Sequence, residues 1–144
     1  MDAAVAVTVD LVNDKVRFSG SARDLPAVSA DYFPPLGEGQ GYTGLELLLL
    51  SLAACSATAI VPLLRRMNKT VAAFRVNASG KRRAQHPTRF ETIAIEFVLT
   101  SPDAVLADLQ KVARMAEETI CPVWAMLKGN VQIVPAFKVV AEGK

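Results

Sequence analysis

Residues Thr43 to Met67 read TGLELLLLSLAACSATAIVPLLRRM, and this stretch decides the fold. From Leu47 to Leu64 it carries eighteen residues without a charge, apolar on every face. A helix of that kind must be surrounded by protein or by lipid. Its start is marked by Thr43 and Glu46, which stand at capping-box spacing, where a hydroxyl and a carboxylate satisfy the amide donors of the first turn. Glu46 also suits the positive end of the helix dipole. Pro62 removes one backbone hydrogen bond and is expected to bend the last turns, and Arg65 and Arg66 suit the C-terminal end. The run just meets the length of a membrane span, but Ser51, Ser56, Thr58 and Pro62 dilute it. The other segments are amphipathic and need something to pack on. A soluble core helix serves both needs.

Working outward, Ala3 to Val9 places Ala3, Val5, Val7 and Val9 on one side of a strand. Asn13-Asp14 is a turn pair that leads into a second strand at Lys15 to Ser19. Arg23 to Ser29 reads as a further strand, and Pro34, Pro35, Gly37, Gly39 and Gly41 make the approach to the helix a loop. Beyond the helix, Val71 to Ser79 and Arg89 to Thr100 alternate as two half-buried strands joined by a charged tip, Gly80 to Pro87, that holds His86. Ser101-Pro102 predicts a helix entry, with Val105, Leu109, Val112, Ala116 and Ile120 as its apolar stripe. Cys121-Pro122 reads as a break and restart, giving a short helix through Lys128 that Gly129 ends, and Val131 to Val140 is the final strand. The pattern predicts a single α+β domain over residues 1–144, with antiparallel sheets wrapped around a long central buried helix.

A chain of 144 residues with 51% hydrophobic residues forms one core that is large or completed by a partner, so a homo-oligomer is expected. The net charge of +2 is small and the basic residues come in short groups, which argues against nucleic acid. Met1 to Asp10 lacks the basic start of a signal peptide, so the cytoplasm is expected, with no membrane partner. There, two cysteines are thiols or a working redox pair rather than a structural bridge.

Cys55 sits mid-helix among Ala53, Ala54, Ser56 and Ala57, which leave room beside the sulfur for a substrate, a partner helix or a second thiol. Cys121 sits at a helix N-terminus, where amide donors and the dipole favour a thiolate. Against this stands the plainer reading that both are small buried core residues. One histidine and two distant thiols form no zinc spacing, so no metal and no cofactor is expected. Trp124, Met126 and Met115 are core residues or the lining of an apolar pocket near Cys121.

Three blocks, GLELLLLSLAACSATAIVPLLRR, HPTRFETIAIEFVLT and EETICPVWAML, resemble the OsmC/Ohr family, the osmotically inducible and organic hydroperoxide resistance proteins. Their order and spacing match over Arg17 to Val140. The resemblance implies an intertwined homodimer with two long central helices enclosed by sheets from both chains, and active sites at the subunit interface. It implies that Cys55 attacks a peroxide and becomes a sulfenic acid, that Cys121 condenses with it to a disulfide, and that a dithiol such as dihydrolipoamide reduces the product. Peroxidase members commonly carry a glutamate ten positions before the reactive cysteine, paired with an N-terminal arginine. Leu45 stands at that position here. Glu46, one residue later, matches a less characterised branch, and two and a half helical turns separate it from Cys55 in its own helix, so capping is its expected role. Arg23, in a Gly-Ser-Ala-Arg-Asp stretch, and Arg17 are the candidates for the cation. Two functions follow: a thiol peroxidase acting on organic hydroperoxides, or a dimer of the same fold that binds an apolar small molecule without efficient turnover.

Overall fold

The computed structural model describes residues 4–141. Ala3, the first position of the expected N-terminal strand, lies outside them. The order is β1 (Thr8–Leu11), β2 (Phe18–Ser21), β3 (Val28–Ala30), α1 (Gly44–Arg66), β4 (Ala73–Arg82), β5 (Phe90–Thr100), α2 (Leu106–Met115), a π-helical turn (Ala116–Ile120), α3 (Pro122–Leu127) and β6 (Gln132–Val140). This is an α+β fold with two sheets and a long central helix, as the sequence predicts. The backbone gathers into two compact units, one ending at Leu48 and one beginning at Leu49.

In the first unit β1, β2 and β3 form an antiparallel sheet. The side-chain carbonyl of Asn13 accepts the backbone N–H groups of Lys15 and Arg17, both at 3.0 Å, which closes the β1–β2 turn. The third strand begins at Val28 rather than Arg23, because Ala22 to Leu25 turn first and Arg23 takes a positive φ of 55°. The loop before the helix is organised by Asp31, which is only 5% exposed. Its carboxylate accepts N–H groups from Tyr32 at 2.7 Å, Glu38 at 3.3 Å and Gln40 at 3.0 Å. The Gln40 N–H above all holds its pKa below the usual carboxylate value, against the effect of burial.

The helix α1 starts as its sequence requires. The Thr43 backbone N–H donates to Glu46 Oε1 at 2.8 Å, and the Glu46 N–H donates to Thr43 Oγ1 at 3.2 Å, a complete capping box. Beyond Leu48 one stripe is buried, made of Leu52, Ser56, Ala59, Ile60 and Leu64. By length and composition this helix could cross a membrane, yet only 28% of its most apolar window is buried within the chain.

In the second unit β4 pairs antiparallel with β5, and β5 lies centrally with Ile93, Ile95, Phe97 and Leu99 buried. One pairing departs from the antiparallel expectation: β6 runs parallel to β5, from Thr92↔Gln132 to Thr100↔Val140. The two helices between them carry the chain back to the end where β5 began, and such a crossover yields a parallel neighbour. Pro135 is accommodated because β6 is an edge strand.

The helix after Ser101-Pro102 begins later than the sequence suggests. Ser101 Oγ accepts the N–H groups of Asp103 at 3.3 Å and Ala104 at 3.0 Å, so it caps a separate turn. The first turn of α2 is closed instead by Asp108, whose carboxylate accepts the Val105 N–H at 2.9 Å. Leu109, Val112 and Ala116 are buried as predicted, while Val105 and Ile120, at the two ends of the stripe, are exposed. The π-turn explains Ile120, because its wider loop of backbone shifts the following residues off the α-helical face.

Candidate functional site

Cys55 lies on α1 beside the buried Ser56, and Cys121 is the residue that caps the start of α3. The π-turn ends in a bond from the Cys121 N–H to the Ala116 carbonyl at 2.8 Å, and Cys121 then leaves helical geometry at φ −77° and ψ 110°. From there it caps α3: its sulfur accepts the Trp124 N–H at 3.4 Å. Pro122 at the first position fixes the entry into the new helix.

Trp124 ties this corner to the sheet. Its ring is 2% exposed and stacks on Phe97 at 6.4 Å. Phe97 in turn stacks on Phe74 of β4 at 6.2 Å and on Phe137 of β6 at 5.9 Å. An aromatic row therefore crosses all three strands and ends at the helix that holds Cys121. Trp124 is a core residue that fixes the position of the sulfur.

The two thiols come together. Cys55 is partly exposed and Cys121 is 2% exposed, and both are free thiols. Burial pushes the Cys55 thiol above its ordinary pKa, the Val123 backbone N–H pulls it down, and the neighbouring Cys121 side chain raises it further. The Ser56 hydroxyl, fully buried, lies 3.9 Å from Cys121 Sγ. The sequence offers Ser56 only as a small neighbour of Cys55, and it does not offer the Val123 N–H at all. Ser56 could have been found as the one polar residue on the buried stripe, whereas the Val123 N–H carries no sequence signal.

The other candidates have settings of their own. Glu46 is engaged in the capping box, and its Oε1 also accepts the Thr43 hydroxyl at 3.1 Å. Arg23 is exposed in the turn between β2 and β3. The charge of Arg17 acts on Asp31, lowering its pKa. His86 is exposed in the β4–β5 turn, at a cis peptide with Pro87. Among the described residues, no group of three or more His, Cys, Asp or Glu could hold a metal ion.

The sign of the Cys55 shift makes a prediction. A raised thiol pKa favours the protonated form in the folded chain, so its stabilising effect is complete below the unfolded pKa and is lost as pH rises through the folded one. In the monomeric chain, where no second copy supplies a charge, alkylation of Cys55 by iodoacetamide, followed by peptide mapping, should rise with pH to a midpoint above the ~8.5 of a free cysteine. A plateau reached below that value would contradict the burial argument.

The helix α1 and the strands β4 and β5 fall within residues 37–135, and it is over these residues that the profile of the OsmC family, OsmC-like protein, matches. The chain belongs to that family. Protein YhfA of Escherichia coli K12 is 29% identical over 97 residues, covering 67% of this chain and 72% of YhfA. Among solved structures, a hypothetical protein from Aquifex aeolicus VF5 is similar with a TM-score of 0.86 and 25% identity over 99% of both chains. The organic hydroperoxide resistance protein OhrB of Bacillus subtilis shares the fold at a TM-score of 0.64 and 17% identity, covering 94% of this chain and 98% of its own.

Proposed function

We propose that this protein is a homodimeric thiol peroxidase that reduces organic hydroperoxides through Cys55 and Cys121. One observation carries the reading: the Cys55 thiol has the Cys121 side chain as a direct neighbour, although 66 positions separate them in sequence. The Cys55 thiolate attacks the distal peroxide oxygen, the O–O bond breaks with its electron pair on the departing oxygen, and that alkoxide takes up the proton released by the Cys55 thiol to leave as the alcohol, while Cys55 becomes a sulfenic acid. Cys121 then attacks that sulfur, an S–S bond forms, and hydroxide leaves with a proton as water. A dithiol such as dihydrolipoamide restores both thiols. Two similar folds bear names of organic hydroperoxide resistance proteins, from Bacillus subtilis and Legionella pneumophila. The activating cation, with Arg23 as the candidate, reaches the thiolate at the subunit interface and offsets the effect of burial on Cys55.

A second reading, a dimer that binds an apolar small molecule without efficient turnover, is favoured by two observations. Burial raises the pKa of the Cys55 thiol. The first unit also has a cavity of about 330 Å³ lined by Val7, Val9, Leu25, Val28 and Leu47 among others.

Intact-mass and peptide mapping of the reduced protein after one equivalent of cumene hydroperoxide separates the two. The peroxidase loses two hydrogens within seconds and yields a Cys55–Cys121 cross-linked peptide. Two unmodified thiols after minutes would sink that reading and leave the binding protein.

A further inference from the structure

Ser56 is the feature of this corner that neither half of the peroxidase chemistry uses. It lies on the buried stripe of α1 between Leu52 and Ile60, with no exposed surface. A buried hydroxyl costs free energy unless it is hydrogen-bonded, and it is retained where it has a partner. Thr58, two residues on, turns its hydroxyl back to the Ala54 carbonyl at 2.8 Å, the usual solution in a helix. The Ser56 hydroxyl instead meets Cys121 Sγ at 3.9 Å. That sulfur also accepts the Trp124 N–H at 3.4 Å and adjoins Cys55.

We infer that Ser56 is a positioning residue for Cys121: its hydroxyl, with the Trp124 N–H, holds the Cys121 sulfur beside Cys55 and speeds closure of the disulfide. The inference rests on the redox reading of the two cysteines but not on the nature of the oxidant. When Cys121 loses its proton, the sulfur carries a negative charge in a buried site. The hydroxyl rotor of Ser56 can turn to donate to it, and the Trp124 N–H already does. The charged sulfur then attacks Cys55, the S–S bond forms, and the leaving group departs with the electron pair of its former bond to Cys55. That group is hydroxide from the sulfenic acid, or a thiolate from a mixed disulfide. Slow closure would leave the sulfenic acid open to a second peroxide and to irreversible sulfinic acid.

The test compares the wild type with Ser56→Ala, which keeps helix propensity and removes only the hydroxyl, and with Ser56→Thr, which restores one. Closure is followed by quenched mass mapping with two oxidants. Cumene hydroperoxide generates the sulfenic acid. Oxidised glutathione generates a mixed disulfide at Cys55, the more exposed of the two thiols. Loss of one hydrogen bond to a charged sulfur should slow closure about tenfold relative to the step before it with either oxidant. With excess peroxide, Ser56→Ala should accumulate Cys55 sulfinic acid, and Ser56→Thr should recover part of the closure rate.

Recovery by Ser56→Thr with both oxidants is a readout that simple loss of packing would not produce, because only the hydroxyl is restored. Closure by Ser56→Ala at the wild-type rate with both oxidants, or slowed closure that Ser56→Thr does not recover, would overturn the inference. If closure proceeds from oxidised glutathione but not from peroxide, the peroxidase reading fails and the Ser56 comparison is decided by the glutathione arm. If no disulfide closes in the wild type with either oxidant, both fail.

Discussion

Cys55→Ser should abolish the consumption of cumene or tert-butyl hydroperoxide in the presence of a dithiol. Loss of the attacking nucleophile typically lowers turnover by about a thousandfold or more, because a serine hydroxyl is not ionised near neutral pH. The substitution is close to isosteric. Cys55 lies on α1 in a run of small residues, so the helix and the buried stripe of Leu52, Ser56 and Ile60 stay intact. Cys121→Ser should behave differently: the first turnover proceeds and Cys55 then advances to sulfinic acid, since the thiol that would intercept the sulfenic acid is gone. The measurement is ferrous-oxidation assay of remaining peroxide, with mass mapping of Cys55. Undiminished turnover by Cys55→Ser would remove the peroxidase assignment. The binding protein of the second reading would show no such turnover in either chain, and would retain its apolar ligand after the substitution.

The parts of the fold that rest on local chemistry were legible in the sequence. The capping box of Thr43 and Glu46 forms as its spacing requires, because both partners lie within one helical turn. The alternation in β5 places Ile93, Ile95, Phe97 and Leu99 inside, as written. Cys121-Pro122 marks the break because proline fixes the new helix entry and the sulfur caps it. What was not legible depends on groups far apart in the chain. Whether β6 runs parallel or antiparallel is set by the path of the helices before it, not by the residues of the strand. The late start of α2 comes from competition between two local caps, Ser101 and Asp108. The π-turn, one extra residue in a helix, has no composition signal, yet it moves Ile120 outward and sets the position of Cys121. Ser56 and Cys121, 65 positions apart, meet only once the chain is folded.

Leu50→Glu should convert the proposed homodimer to a monomer. In one chain the face of α1 carrying Leu50, Ala54, Thr58 and Pro62 remains exposed, and Leu50 itself is 50% exposed. The hydroxyl of Thr58 is already bonded to the Ala54 carbonyl, so this face presents carbon and a satisfied polar group, a surface suited to burial. If a second copy covers it, the substituted carboxylate is buried without a partner. That costs about 3–5 kcal/mol, or more than about a hundredfold in the dissociation constant. Both copies carry the substitution, so the effect is felt twice. Sedimentation equilibrium reads it directly, with Ala107→Glu on the exposed side of α2 as a control that adds the same single negative charge and should leave the dimer in place. A wild-type chain that sediments as a monomer, or a Leu50→Glu chain that still dimerises with unchanged affinity, would show that this face has another partner. Solubility of the wild type only in detergent would identify that partner as lipid, because the helix has the length and apolar composition to enter a bilayer. The same experiment tests the site as well as the assembly. A monomer has no subunit interface, so a cation from the second copy could no longer offset the burial of Cys55, and peroxide turnover should fall together with dimerisation.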